Sequence, residues 1–442
     1  MNLVKKIIRK IKFEFQDGLT YFLIKLSVLV KSPNLTAYFS SLFVKNFNQA
    51  GQYRILCMRR SIFMDDIEAL SQISGRLHYL IIGRNIFQII FRHFANKDEL
   101  KRLTGNNYHS DQLCQEAIKK YNQYLKIMLP ALRRRVNFDA IFNGNFVYIE
   151  QQEIGRVCEE LGIPYVVLQK DSLTSIIFED TLKIHEGLKF LGTRMLVYNE
   201  ALVDSLGQVI DPEGVYRNKF RVVGPPRLDY LFYSDSTMKA EDKVVFFSFL
   251  ANIRFPRIVE DQKKLAAIYK RAEDFHIWLM RFAQQHPNIK VIIKTKVAKY
   301  YLEYVRSIFR NNFKKGIDNL VITSAGQPTE MIKTSRVTCA FNSMTMIESV
   351  IANKVIVSPY FADLVPNTPL DYFGDYPQMV NYVKTMEELE DCLLHPENYK
   401  KYNDNDREKF LKRFIYIPDG RASIRAEDEI IKVIKDYQNV KK

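Results

Sequence analysis

Short apolar runs alternate with amphipathic stretches from Gln52 to Leu394, and that alternation leaves few folds open to the chain. The runs YRILCM (53–58), HYLIIG (78–83), FDAIFNGN (138–145), IPYVVL (163–168), TRMLVY (193–198) and FRVV (220–223) come first; KVVFFSFL (243–250), NIKVIIKTK (288–296), NLVITSAG (319–326), VTCAF (337–341) and KVIVSP (354–359) follow. Most are apolar on both faces, as expected of strands covered above and below. Between them lie helical patterns: 85–96, 111–129, 151–161 closed by Gly162, 199–206, 261–285, 300–311 and 328–334. Strand–helix alternation predicts the α/β class, with mostly parallel sheets flanked by helices. In such sheets ligands sit beyond the carboxyl ends of the strands, so the polar residues there are the ones to weigh.

The segment Val337–Phe361, VTCAFNSMTMIESVIANKVIVSPYF, is a β–turn–α–β unit. Its turn, Asn342-Ser343, opens a helix whose unpaired N–H groups and positive end favour a phosphate. Thr345 lies in the first turn and Glu348 one turn further in, as a lone carboxylate. The same residues also read as an ordinary helix cap with a solvated face. Ser248 ends the strand 243–250, and Lys294 and Lys296 share one face of the strand 288–296 at a period of two residues. Two lysines opposite a helix-start turn would make a diphosphate cradle.

In the first half, the strand-end groups are Arg59-Arg60 with Asp65-Asp66, Asn143 with Asn145, and Lys170-Asp171. Asp171, directly after a strand and beside Lys170, is the leading candidate for a general base, with Asp66 or Asp65 next; each also suits a turn or cap. FRVV then runs into Gly224-Pro225-Pro226, which forbids a continuing ladder, followed by Arg227 and Asp229. The polar stretch 232–242 reads as a linker. The expected divisions are a leading segment 1–50, an α/β domain 51–235, a second α/β domain 236–425, and a closing helix and tail 426–442. Asp419-Gly420-Arg421-Ala422-Ser423 is expected to cap that helix.

The chain carries 65 Lys and Arg against 50 Asp and Glu, a net charge of +15, which calls for an anionic partner. Much of the local excess sits at the start. In MNLVKKIIRKIKFEF, Leu3, Val4, Ile7, Ile8, Ile11 and Phe15 gather on one helical face and Lys5, Lys6, Arg9, Lys10 and Lys12 on the other. That is the pattern of a helix lying in an anionic membrane interface. The run Leu19–Val30 is apolar but too short to span a bilayer, and Lys25 interrupts it. No recognised nucleic-acid module is present, so nucleic acid is not an expected partner. Five separated cysteines give neither a zinc pattern nor a disulfide framework, which fits a cytoplasmic setting. The seven histidines have no ligand spacing, and Asp404-x-Asp406 reads as a cap, so no metal is expected.

Three segments resemble glycosyltransferases of the GT-B architecture that build bacterial surface polysaccharides: VVGPPRLDYL (222–231), FNSMTMIESVIANKVIVSPYF (341–361) and IPDGRASIRAEDEI (417–430). Capsule and Kdo transferases and CDP-glycerol glycerophosphotransferases share this pattern, and the likeness covers roughly residues 50–435. The resemblance implies two Rossmann-like domains facing each other across a cleft, the nucleotide sugar in the second and the acceptor approaching from the first. It implies phosphate contacts at Ser343 and Thr345, a ribose contact at Glu348, and Lys294 and Lys296 neutralising the departing diphosphate. Gly224, Pro225, Arg227 and Asp229 would lie at the junction of the domains. No cofactor is implied beyond the nucleotide-sugar substrate. A lipid-linked or surface glycan would be the acceptor, at the inner face of the cell membrane. Two departures stand out: Arg59-Arg60-Ser61 replaces a glycine-bearing turn, and no residue is marked as the base. An epimerase of nucleotide sugars with the same architecture, or a non-catalytic membrane-bound assembly protein, would share these features.

Overall fold

The computed structural model describes residues 18–440, apart from 20, 50, 60, 105–106, 109–111, 170–186, 211–213, 215–216, 234–240, 369 and 400–401. The amphipathic segment 1–15, Lys170, Asp171 and most of the expected linker therefore lie outside the described residues. The chain divides into two compact units, Met1–Asp229 with Arg421–Lys442, and Tyr230–Gly420.

Unit 1 is built on a seven-stranded sheet in the order β1-β3-β2-β4-β5-β6-β7. The strands are β1 (Lys45–Asn46), β2 (Tyr53–Arg59), β3 (Leu77–Gly83), β4 (Ala140–Asn143), β5 (Tyr165–Leu168), β6 (Arg194–Val197) and β7 (Phe220–Val222). All neighbours run parallel except β1, a short antiparallel edge on β3. The central strands bury Ile55, Leu56, Cys57 and Met58 in β2 and the whole of β4, because helices cover both faces.

Unit 2 holds a six-stranded, wholly parallel sheet in the order β10-β9-β8-β11-β12-β13. Its strands are β8 (Lys243–Phe247), β9 (Lys290–Lys294), β10 (Leu320–Thr323), β11 (Val337–Ala340), β12 (Val355–Pro359) and β13 (Asn381–Val383). Val244, Phe246, Val291, Ile293, Val337 and Cys339 share one core with Phe275, Leu279 and Phe282 of the Gln262–Gln285 helix. The α/β class and the two mostly parallel sheets are thus those expected from the alternation of elements.

Three local readings change. The helix expected to stop at Leu129 runs as Gln115–Val136, straight through Pro130. Ala131, Leu132 and Val136 are buried beyond the proline on the face that carries Leu125, Met128 and Leu129, and that burial outweighs one missing N–H. Strand β9 ends at Lys294, so Lys296 is not on it and the expected period-two lysine pair does not form. The closing helix runs as Ala422–Val440, so Ala422 and Ser423 of the expected cap are its first residues, and it belongs to unit 1.

Candidate functional site

A parallel sheet offers its best ligand position where the strand order reverses. In unit 2 the chain runs outward from β8 to β9 and β10, then returns to place β11 on the other side of β8. The reversal therefore lies between β8 and β11. One register row crosses the sheet there: Thr323, Lys294, Phe247, Ala340, Ser358 and Tyr382. The residues one step beyond it on β8 and β11 are Ser248 and Phe341, and Asn342-Ser343 follow.

The turn is shaped by its own side chains. Asn342 takes a positive φ of 46°, which asparagine tolerates, and its amide donates to the Leu370 carbonyl at 2.7 Å. Ser343 is the N-cap of the Met344–Ile351 helix, accepting from the Thr345 N–H at 3.3 Å and from the Thr345 hydroxyl at 2.8 Å. As a hydroxyl that receives both, Ser343 keeps its own proton to donate. Thr345 and Glu348 are both buried. Lys294 is buried as well, and its ammonium donates to the carbonyls of Thr295 and Ser324, each at 2.9 Å. Desolvation lowers its pKa, and an anion placed beside the remaining N–H would relieve that. Lys296 is exposed, 5.5 Å from the Tyr301 ring centre.

Ser248 has a partner that the spacing of histidines did not reveal. His276, wholly buried in the Gln262–Gln285 helix, lies with Nε2 2.8 Å from the Ser248 hydroxyl and Nδ1 2.6 Å from the Ala272 carbonyl. A carbonyl only accepts, so Nδ1 carries the proton and Nε2 accepts from Ser248. Burial holds His276 neutral by lowering its pKa to about 4. Ser248 therefore offers only lone pairs to a ligand and suits a hydroxyl or N–H rather than a phosphate oxygen. Beside it Phe249, Phe255, Phe341 and Phe361 form an aromatic floor, with Phe255 and Phe341 stacked 5.6 Å apart at 8°. Phe249, Phe341 and Phe361 come within two residues of the ends of β8, β11 and β12, and Phe255 opens the short turn Phe255–Arg257 further on, a clustering that only the sheet order shows.

Unit 1 reverses between β2 and β4. Asn143 and Asn145 build the turn after β4. The Asn143 amide donates to the Asn145 carbonyl at 2.6 Å and lies 3.1 Å from the Tyr165 hydroxyl, while Asn145 accepts from the Val147 N–H at 2.7 Å. Arg84, just past β3, reaches Glu150 on the Ile149–Leu161 helix beyond β4, at 3.1 Å from Nε and 2.8 Å from Nη2. The pair joins elements that follow the two strands flanking β2, and Arg84 stacks on Tyr148 at 3.5 Å. Sequence reading missed it by starting that helix at Gln151. The polar run Glu150-Gln151-Gln152-Glu153 is visible in the sequence, but only the structure shows that all four are buried.

Asp66 has no exposed surface. It accepts from the Arg227 N–H at 3.2 Å and faces the Arg227 guanidinium at 3.9 Å, which itself donates to the Tyr198 hydroxyl at 2.9 Å. That is a fold-holding contact. Gly224 has a φ of 84°, a left-handed turn that aims the chain into Pro225 and the Pro226–Leu231 turn. The expected cap of the closing helix is also revised: its first N–H groups, on Ala422 and Ser423, go to Asp229. Arg425 donates to the Val223 carbonyl at 2.9 Å. Two of the three resemblance segments thus lock onto each other within unit 1. For Asp404-x-Asp406, the cap is Asn403, with both acids in the first turn.

No family model matches the chain, and no curated protein matches it. Solved structures with similar coordinates include one described as a UDP-N-acetylglucosamine 2-epimerase from Listeria monocytogenes, at 10% identity and a TM-score of 0.48, over 87% of this chain and 98% of that one. A UDP-GlcNAc 2-epimerase from Methanocaldococcus jannaschii matches at 14% identity and 0.46, over 85% and 99%. A trehalose 6-phosphate synthase from Burkholderia multivorans matches at 9% and 0.42, over 89% and 99%. Likeness this distant transfers neither fold details nor chemistry, which rest on the sheets and residues above.

Proposed function

We propose that the chain is a glycosyltransferase that takes a sugar from a nucleotide-sugar donor held at the β8/β11 edge of unit 2. The acceptor would be a lipid-linked or surface glycan at the inner face of the cell membrane. The observation that supports this most is the meeting, at the strand-order reversal, of a helix start, a Ser343 hydroxyl with a proton to give, and the half-desolvated ammonium of Lys294 one strand beyond β8. Helix-end N–H groups and the Ser343 hydroxyl would take the phosphates, while Thr345, whose N–H and hydroxyl both donate to Ser343, would hold that hydroxyl in place. Lys294, with Lys296 more loosely, would balance charge on the leaving diphosphate. Glu348 would accept from the ribose, and Ser248 from another ligand hydroxyl or N–H. Asp171, beside Lys170, is the proposed base: it takes the proton of the acceptor hydroxyl as that oxygen bonds to the sugar and the sugar–phosphate bond breaks. The scheme requires no metal.

The test is product analysis with purified protein, a panel of UDP-, CDP-, CMP- and GDP-sugars, and membrane-derived acceptor lipid. Acceptor-dependent release of nucleotide supports transfer. Isomerisation of a nucleotide sugar with no acceptor would move the reading to an epimerase, and no binding of any nucleotide would leave a non-catalytic role.

A further inference from the structure

We propose that the outer face of the two helices spanning residues 21–42 is the surface by which this protein lies on an anionic phospholipid bilayer. Among the described residues, sixteen large apolar side chains are conspicuously exposed, and nine of them fall between Leu19 and Phe47. They are ordered rather than scattered. Along the first helix Phe22, Leu26 and Leu29 recur at helical spacing, continuing from Leu19 ahead of it, with Phe22 62% and Leu29 63% exposed, while Ile24, Ser27 and Val28 are buried on the opposite side. In the second helix, Pro33–Leu42, Tyr38 and Leu42 share the exposed side and Thr36, Ala37 and Ser40 the buried one. The Ser27 and Thr36 hydroxyls meet at 2.7 Å, so both helices turn their inner faces to the same core and their apolar stripes outward. Soluble surfaces rarely carry a patch of this kind without something to cover it.

Charge identifies the occupant. No acid occurs from Gly18 to Met64, whereas Lys25, Lys31, Lys45, Arg54, Arg59 and Arg60 do. Lys25 lies over the Tyr21 ring at 4.4 Å, and Arg135 is 5.1 Å from the Tyr38 ring, so cations border the apolar stripe. The chain ahead of Gly18 adds Lys5, Lys6, Arg9, Lys10 and Lys12. Apolar side chains rimmed by cations suit acyl chains below anionic headgroups. A second copy of this chain would set Lys25 and Lys31 against cations of the same face. No helix among the described residues is long and apolar enough to cross a membrane, so the contact would be interfacial.

Cosedimentation of the full chain with vesicles of phosphatidylcholine, alone or mixed with phosphatidylglycerol, tests this without any nucleotide, so the donor-site reading and this one can fail separately. The full chain should bind the mixed vesicles, more weakly at high salt. Leu26→Asp with Leu29→Asp should cut partitioning at least about tenfold, with circular dichroism and Tm unchanged because both side chains are exposed. Undiminished binding of that variant would overturn the proposal. So would loss of binding only when Lys5, Lys6, Arg9, Lys10 and Lys12 become Gln, or a wild-type dimer in light scattering that the double variant turns to monomer.

Discussion

The Asp229 carboxylate accepts the backbone N–H of Ser423 at 2.7 Å, and its other oxygen takes that of Ala422 at 3.1 Å, so a residue near the end of one quoted motif caps the helix that begins in another. Both partners are buried, and desolvation raises the Asp229 pKa to about 6 from 3.8, against the opposing pull of those N–H groups. A raised acid pKa means the folded state holds the proton more tightly than the unfolded chain between these values. Asp229 therefore adds stability as pH falls from about 6 toward 4 and loses it as pH rises through 6, by roughly 3 kcal/mol in all. Asp229→Asn keeps an acceptor and removes the charge, so urea unfolding should show that component of the pH slope gone. Asp229→Ala also removes the titrating group, so it should cost about 1–3 kcal/mol near pH 4 by orphaning the two donors, and less as pH rises through 6. Parallel pH profiles for wild type and Asp229→Asn would contradict this.

His276 acts with the opposite sign. Its pKa is lowered to about 4 from 6.5, so the folded state refuses a proton that the unfolded chain accepts. Its contribution is complete above about 6.5 and is lost as pH falls toward 4, again by roughly 3 kcal/mol. His276→Gln should flatten acid unfolding over that window. It should also release the Ser248 hydroxyl to act as a donor, which nucleotide titrations would register as altered affinity. Unchanged acid sensitivity in His276→Gln would exclude the buried neutral imidazole.

Pro130 sits inside the Gln115–Val136 helix and is only partly buried. Restoring the missing N–H with Pro130→Ala should stabilise the protein, by up to about 3 kcal/mol, and raise Tm without changing helix content in circular dichroism. A loss of stability would mean that the ring packs in a way the neighbouring side chains require.

Much of the fold was legible because a parallel strand buried on both faces reads as an unbroken apolar run: YRILCM, KVVFFSFL and KVIVSP each mark their strand within a few residues. The limits lie where local patterns and distant contacts disagree. Pro130 announces a helix end that burial of Leu132 and Val136 overrides. Lys296 looks like the strand partner of Lys294, yet β9 stops one residue after Ile293 and the second lysine turns to solvent. The pairs Asp229 with Ser423, Arg84 with Glu150, and Ser248 with His276 join residues far apart in the chain, and no spacing rule exposes them. The turn Asn342–Glu348 was visible as phosphate-friendly, but only the strand order puts Ser248 and Lys294 around it.

The central claim is that this turn holds a nucleotide, and calorimetric titration with uridine, cytidine and guanosine nucleotides tests it most directly. One base should bind and, at a hundredfold excess over its Kd, stabilise the fold by about 2.7 kcal/mol. Lys294→Met should weaken that binding and, by leaving the Thr295 and Ser324 carbonyls without their donor, cost about 1–3 kcal/mol of stability. Glu348→Gln should weaken binding of nucleoside diphosphates while leaving inorganic pyrophosphate unaffected. Failure of every nucleotide and nucleotide sugar to bind the wild type, or wild-type affinity in both variants, would contradict the account.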